Sequence, residues 1–174
     1  MSFLYLKPFI YNVLLRLRNS YPLLRAENVL SDYLLIDGKV DITGDISAAG
    51  GFKQSFNYAQ SNVSASQTAV IIKVLGSSDN TEFLAPYAGS VIAISVASTE
   101  ARSAGTLTVD ATVNGTTTGL QAILNGSNTK YKATTQAKDT DIFSAGDRLG
   151  VKITTSADWA PTSADIVVTI FVEI

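Results

Sequence analysis

The chain has 174 residues, 46% hydrophobic and 16% charged, with a formal net charge of -2; this is room for one full domain plus a smaller element, with enough apolar material for a core and too little charge for a disordered chain. It contains no cysteine and no histidine, which removes disulfides, thiolate and imidazole metal ligands, cysteine nucleophiles, the serine triad and the usual general base near neutral pH. The small negative charge gives no general attraction for nucleic-acid phosphates or an anionic membrane surface, so the expectation is a protein with no nucleic-acid partner, no membrane and no cofactor.

Three zones differ in composition. Residues 1–36 are apolar and basic, with Lys7, Arg16, Arg18 and Arg25 against Glu27 and Asp32. Pro8 suits the first turn of a helix, and Phe9, Ile10, Val13, Leu14 and Leu17 follow at helical spacing to form one apolar stripe. Tyr21-Pro22 ends that helix, because the residue before a proline disfavours the α region. Lys7, Arg16 and Arg18 interrupt the stretch too often for a membrane span, and Lys7-Pro8 breaks the run expected of a signal peptide. The helix either packs on its own domain or docks on a partner. The surplus apolar surface of Phe3, Leu4, Tyr5, Leu6, Leu23 and Leu24 favours docking.

Residues 37–67 form a Gly-containing connector or short stalk. Val40 and Ile42 alternate between the turns Asp37-Gly38 and Gly44-Asp45, the pattern of a short β-turn-β unit. It resembles the turn-and-strand repeats of trimeric phage fibre shafts, and an ordinary hairpin accounts for it equally.

Residues 68–174 are a succession of short β-branched runs over 69–75, 90–97, 106–113, 120–124, 130–136, 148–155 and 165–173. Seven runs separated by turn residues predict an antiparallel all-β sandwich. Leu107, Val109, Ala111 and Val113 alternate with Thr106, Thr108, Asp110 and Thr112, as a strand with one wet face does. Asn114-Gly115 and Asn125-Gly126 are tight-turn signals. Val167 and Phe171 lie on the second face of the last run, which predicts that another sheet or subunit covers it.

The stretches Ala85-Pro-Tyr-Ala-Gly-Ser-Val-Ile-Ala-Ile, Ala104-Gly-Thr-Leu-Thr-Val and Phe143-Ser-Ala-Gly-Asp-Arg-Leu-Gly-Val-Lys-Ile place Ala-Gly turns before strands. The last of them resembles the turn and strand of jelly-roll modules in phage fibre, spike and capsid-decoration proteins, and more distantly those of trimeric heads of the tumour-necrosis-factor and complement type. The resemblance covers residues 82–174. It implies a jelly-roll-like homotrimer and carries over no catalytic residue.

No phosphate-binding glycine loop occurs, and Asp139, Asp141 and Asp147 do not have the spacing of a calcium loop, so no metal is expected. Trp159, beside Pro161, is a possible ligand or subunit contact or a packing residue. Together these expectations describe a non-enzymatic virion protein of the cement, decoration or head-fibre kind. Its anchor would dock on a major capsid protein or neighbouring virion protein. The alternative is a tail-fibre or spike head that recognises a host glycan, and a carboxylate-based glycan hydrolase is the least supported class.

Overall fold

The computed structural model describes residues 52–79 and 81–174. The expected docking stripe, Phe9, Ile10, Val13, Leu14 and Leu17, lies outside them.

Eleven strands follow in order: β1 (Lys53–Gln60), β2 (Val70–Ile71), β3 (Lys73–Val74), β4 (Phe83–Leu84), β5 (Gly89–Ser98), β6 (Leu107–Val113), β7 (Thr116–Leu124), β8 (Tyr131–Thr135), β9 (Asp141–Phe143), β10 (Arg148–Thr155) and β11 (Ile166–Glu173). They make two sheets whose strand pairs are all antiparallel. The first sheet runs β3-β1-β11-β5-β8, with β9 also on β5. The second runs β2-β10-β6-β7, with β4 also on β10. The expected all-β sandwich is therefore present, and its long strands alternate as the sequence does. On β10, Leu149, Val151 and Ile153 are fully buried, and on β11 so are Val168 and Ile170. Side chains from the two inner faces meet in one apolar core, and burial of this kind is the main favourable term in folding.

Two features of this arrangement correct the sequence reading. Residues 53–60 were assigned to the connector, but β1 pairs with β11 through eight consecutive positions, from Lys53↔Glu173 to Gln60↔Ile166. Its sequence, KQSFNYAQ, buries Phe56 and Tyr58 among polar neighbours and contains no β-branched residue, so no strand signal was visible. The run 69–75 was read as one strand and is two. Val70 and Ile71 pair with β10 in the second sheet, while Lys73 and Val74 pair with β1 in the first. Ile72 turns the corner between them, 1% exposed, with its N–H donating to the Val151 carbonyl at 3.1 Å.

The connections follow turn chemistry. Asn114 and Gly115 both have positive φ, 52° and 76°, as a type I′ turn requires, and they close the β6–β7 hairpin. Asn125-Gly126 does not close a hairpin, because β7 and β8 belong to different sheets. Instead the Asn125 side-chain oxygen accepts from the N–H groups of Ser127 (3.0 Å) and Asn128 (3.1 Å), an Asx turn that carries the chain across.

One end of the sandwich is closed by the loop after β10. Trp159 is 2% exposed there, and its indole N–H donates to the Val63 carbonyl at 3.0 Å. Gly105 lies against the Trp159 backbone at φ 71°, where an added Cβ would come within 2.5 Å of the Trp159 nitrogen. Only glycine fits that approach.

Candidate assembly surface

The outer face of the first sheet follows from its register. Because successive side chains of a strand point to opposite faces, the partners of the buried rows point outward. Four outward rows result: Lys53, Glu173, Ser90 and Ile142; Ser55, Phe171, Ala93 and Thr135; Asn57, Thr169, Ser95 and Ala133; and Ala59, Val167, Ala97 and Tyr131. The last three rows contain no charged residue. Most of their side chains are Ala, Ser or Thr, so the face is flat. Apolar groups stand on it: Phe171 is 39% exposed, Val167 41% and Tyr131 64%, with Ile142 at 69% in the first row.

Charge is confined to the margins of this face. Glu173, itself buried to 9% exposure, pairs with Lys138 at 2.9 Å. That carboxylate, hydrogen-bonding to the ammonium, holds the Lys138 amine above its ordinary pKa. Lys73 flanks Ala59 on the edge strand β3.

The outer face of the second sheet has a different character. At its centre Lys152, Asp110 and Gln121 form one row, with Thr154, Thr108 and Ile123 on one side of it and Gly150, Thr112 and Thr117 on the other. The Asp110 carboxylate accepts from the Gln121 amide at 2.5 Å, and the Lys152 ammonium donates to the Gly115 carbonyl. The central charges of this face are thus held by partners in their own chain. The face of the first sheet offers apolar surface without polar partners. Val167 and Phe171 were expected to lie beneath another sheet or subunit, and among the described residues no element lies over them.

No protein-family model matches the chain, and no curated protein is similar to it in sequence. Among solved structures the chain is similar to one described as the acidic stable capsid structure of Helicobacter pylori bacteriophage KHP30. Identity is 10%, the match covers 72% of this chain and 90% of that one, and the TM-score is 0.43. It is also similar to the cyanophage Pam1 capsid asymmetric unit, at 12% identity over 80% of this chain and 97% of that one, with a TM-score of 0.40.

The sequence-predicted ligand residue does not reach the surface. Trp159 was offered as a possible ligand or subunit contact, yet its ring fills the end of the core and its one polar atom is satisfied by Val63. The packing reading accounts for it. The well-exposed rings are Phe52, Tyr87 and Tyr131, and Tyr131 stands over a shallow depression of about 530 Å³ lined in part by Ser95, Asn128, Lys132, Val167 and Thr169. The Lys130 ammonium stands 5.7 Å from the Tyr131 ring centroid. The sequence gives Tyr131 no setting, because which residues neighbour it depends on pairing β8 to β5.

The acids serve the turns. Asp147 accepts from the Asn114 side-chain amide at 2.8 Å and from the Ser144 N–H at 2.7 Å, and both bonds hold its pKa below the ordinary carboxylate value. Asp158 is lowered likewise, first by the Ser156 hydroxyl. Asp141 accepts from Gln136, which also donates to the Val91 carbonyl, both at 2.7 Å. Among the described residues no three acids, histidines or cysteines gather as a metal site would.

Proposed function

We propose that this chain is a non-enzymatic structural protein of a phage particle, of the cement, decoration or head-fibre kind. Residues 1–36 dock on a major capsid protein or a neighbouring virion protein, and the sandwich projects outward as a homotrimer. The observation that supports this best is the strand order. Taking the eight principal strands, one sheet runs β1-β11-β5-β8 and the other β2-β10-β6-β7. This is the order of an eight-stranded jelly roll, an architecture used by viral capsid and lectin domains. Fold alone assigns no role, and two further features point to a structural one. Asn114, Asn125, Asp147 and Asp158 are committed to turns, and residues 1–36 supply apolar surface at helical spacing.

Docking would bury the stripe of Phe9, Ile10, Val13, Leu14 and Leu17 in an apolar groove. Each large side chain contributes about 1.5–3 kcal/mol before ordering costs. A trimer presents three such stripes at once and gains by avidity. The test is incorporation of the full chain into particles. Val13→Asp and Leu14→Asp are expected to abolish incorporation while the sandwich keeps its circular dichroism and melting transition; normal incorporation of the folded variants would sink the docking reading.

A second reading, a receptor-binding head of a tail fibre or spike, is favoured by one observation, the exposed Tyr131 ring beside Ser95, Thr169 and Asn128. A glycan-array signal lost in Tyr131→Ala would support it.

A further inference from the structure

We infer that the outer face of the first sheet lies on a two-fold axis between copies of this chain, and that its partner is the same face of a second copy. The inference goes beyond the homotrimer proposed above, because a face that meets itself joins copies in pairs and so adds a contact between trimers. Three observations carry it.

The first is area. With strands about 4.8 Å apart and a two-residue repeat of about 6.8 Å, four rows across four strands, less the already buried Ser90 and Glu173, span roughly 450 Å². Two such faces brought together bury roughly 900 Å², the size of a weak specific contact. The second is shape. Ala59, Ala93, Ser95, Ala97, Ala133 and Thr135 surround Val167 and Phe171, so a second sheet can approach closely with the two larger side chains seated among small ones. The third is charge. A surface that meets its own copy must avoid setting like charges together. Three successive rows here contain none, and the Glu173 carboxylate in the fourth is already paired with Lys138. The central Lys152 and Asp110 of the other outer face would have to leave their own-chain partners to do the same. Positive charge stands only beside the fourth row, where Lys73 flanks Ala59 and Lys130 and Lys132 border Tyr131, and the second and third rows offer a nucleic acid or an anionic lipid none.

The absence of cysteine makes a direct test possible. Ser95 lies in the third row and is half-buried; Thr117 is exposed on the outer face of the second sheet. In the full chain, a single Ser95→Cys treated with a thiol-to-thiol crosslinker at micromolar concentration is expected to give covalently linked copies. Thr117→Cys is expected to stay unlinked. Adding Val167→Lys and Phe171→Lys to the Ser95→Cys chain should cut the linked fraction about tenfold or more, with the circular dichroism unchanged because both positions are already solvent-accessible. Equal linking at Thr117, linking indifferent to the two lysines, or no linking at Ser95 would each overturn the inference. Particle incorporation of Val13→Asp is read separately, so a failure of docking and a failure of this interface give different results.

Discussion

Asn114 and Asp147, 33 residues apart in sequence, tie two turns of the sandwich together through a 2.8 Å bond from the Asn114 amide to the Asp147 carboxylate. The same Asn114 accepts from the Arg148 N–H through its side-chain oxygen at 3.0 Å and donates its own N–H to the Arg148 carbonyl at 2.7 Å. One residue thus provides the left-handed backbone of the β6–β7 turn, at φ 52°, and a clasp on the start of β10. Asn114→Ala removes the side-chain bonds and places a less suitable residue at positive φ, which costs about 1–2 kcal/mol from the backbone alone. A melting temperature several degrees lower is expected in calorimetry, and Asn114→Asp should recover part of it, since aspartate also tolerates this backbone region.

The depressed pKa of Asp147 has a definite sign in stability. A carboxyl held below its unfolded value contributes stability that is fully present above that value, near 3.8, and is lost as pH falls through the folded pKa. Protonation removes the charge and turns one of its two oxygens into a hydroxyl, so the bonds from Asn114 and Ser144 weaken. Melting temperature measured from pH 5 down to pH 2 is therefore expected to fall more steeply for the native chain than for Asp147→Asn. The variant should start from lower stability at pH 5 and converge on the native curve at the acid end. Parallel curves would show that the bonds to Asp147 contribute nothing.

Trp159 and Gly105 predict a paired result. Trp159→Ala empties the closed end of the core, at a cost of about 3–5 kcal/mol, and leaves the Val63 carbonyl without its donor. Gly105→Ala forces a Cβ into the Trp159 backbone and strains a residue at φ 71°. Both should unfold at markedly lower denaturant concentration. Combined, they should cost less than the sum, because the loop that the indole no longer pins is free to shift away from the added Cβ. Fluorescence of the native chain, whose one tryptophan is this residue, reports the transition directly.

How much of this could be read from the sequence differed by element. β5, β6, β10 and β11 were legible because each is a run of seven or more residues rich in β-branched and aliphatic side chains, with period-two alternation clearest on β6 and β10. The Asn114-Gly115 hairpin was legible from turn chemistry alone. β1 was not, since its only apolar residues are two aromatics and an alanine and its pairing partner lies more than a hundred residues away. The two-residue strands β2, β3 and β4 are too short for any period to show. The outer face of the first sheet was half legible: Val167 and Phe171 stood out on β11, but Ser55, Ala93, Ser95 and Ala133 become parts of one neutral surface only through the register of four strands. Trp159 was legible only as an alternative between contact and packing, and the structure decides for packing because the loop folds back over the end of the core.

Tyr58 yields the last prediction, because it bridges the two sheets. Its hydroxyl, on β1, donates to the Leu149 carbonyl on β10 at 2.6 Å, and its ring meets Phe83 edge-on at 5.7 Å. Burial, the largest influence on this phenol, pushes its pKa well above the ordinary value of 10.0. Tyr58→Phe keeps the ring contacts and removes the bridging donor, so near neutral pH it should destabilise by about 1 kcal/mol. At high pH the order is expected to change. A group whose folded pKa is raised gives full stability below its unfolded value and loses it as pH rises towards the folded one. Above pH 10 the unfolded native chain ionises Tyr58 while the folded chain does not, which removes about 1.4 kcal/mol per pH unit. The phenylalanine variant lacks this loss, so the two stability curves, measured by denaturant unfolding between pH 8 and pH 12, should cross about one unit above pH 10. Curves that stay parallel throughout would mean that the buried phenol is already ionised or already exposed, and that Tyr58 does not hold the sheets together as the 2.6 Å bond implies.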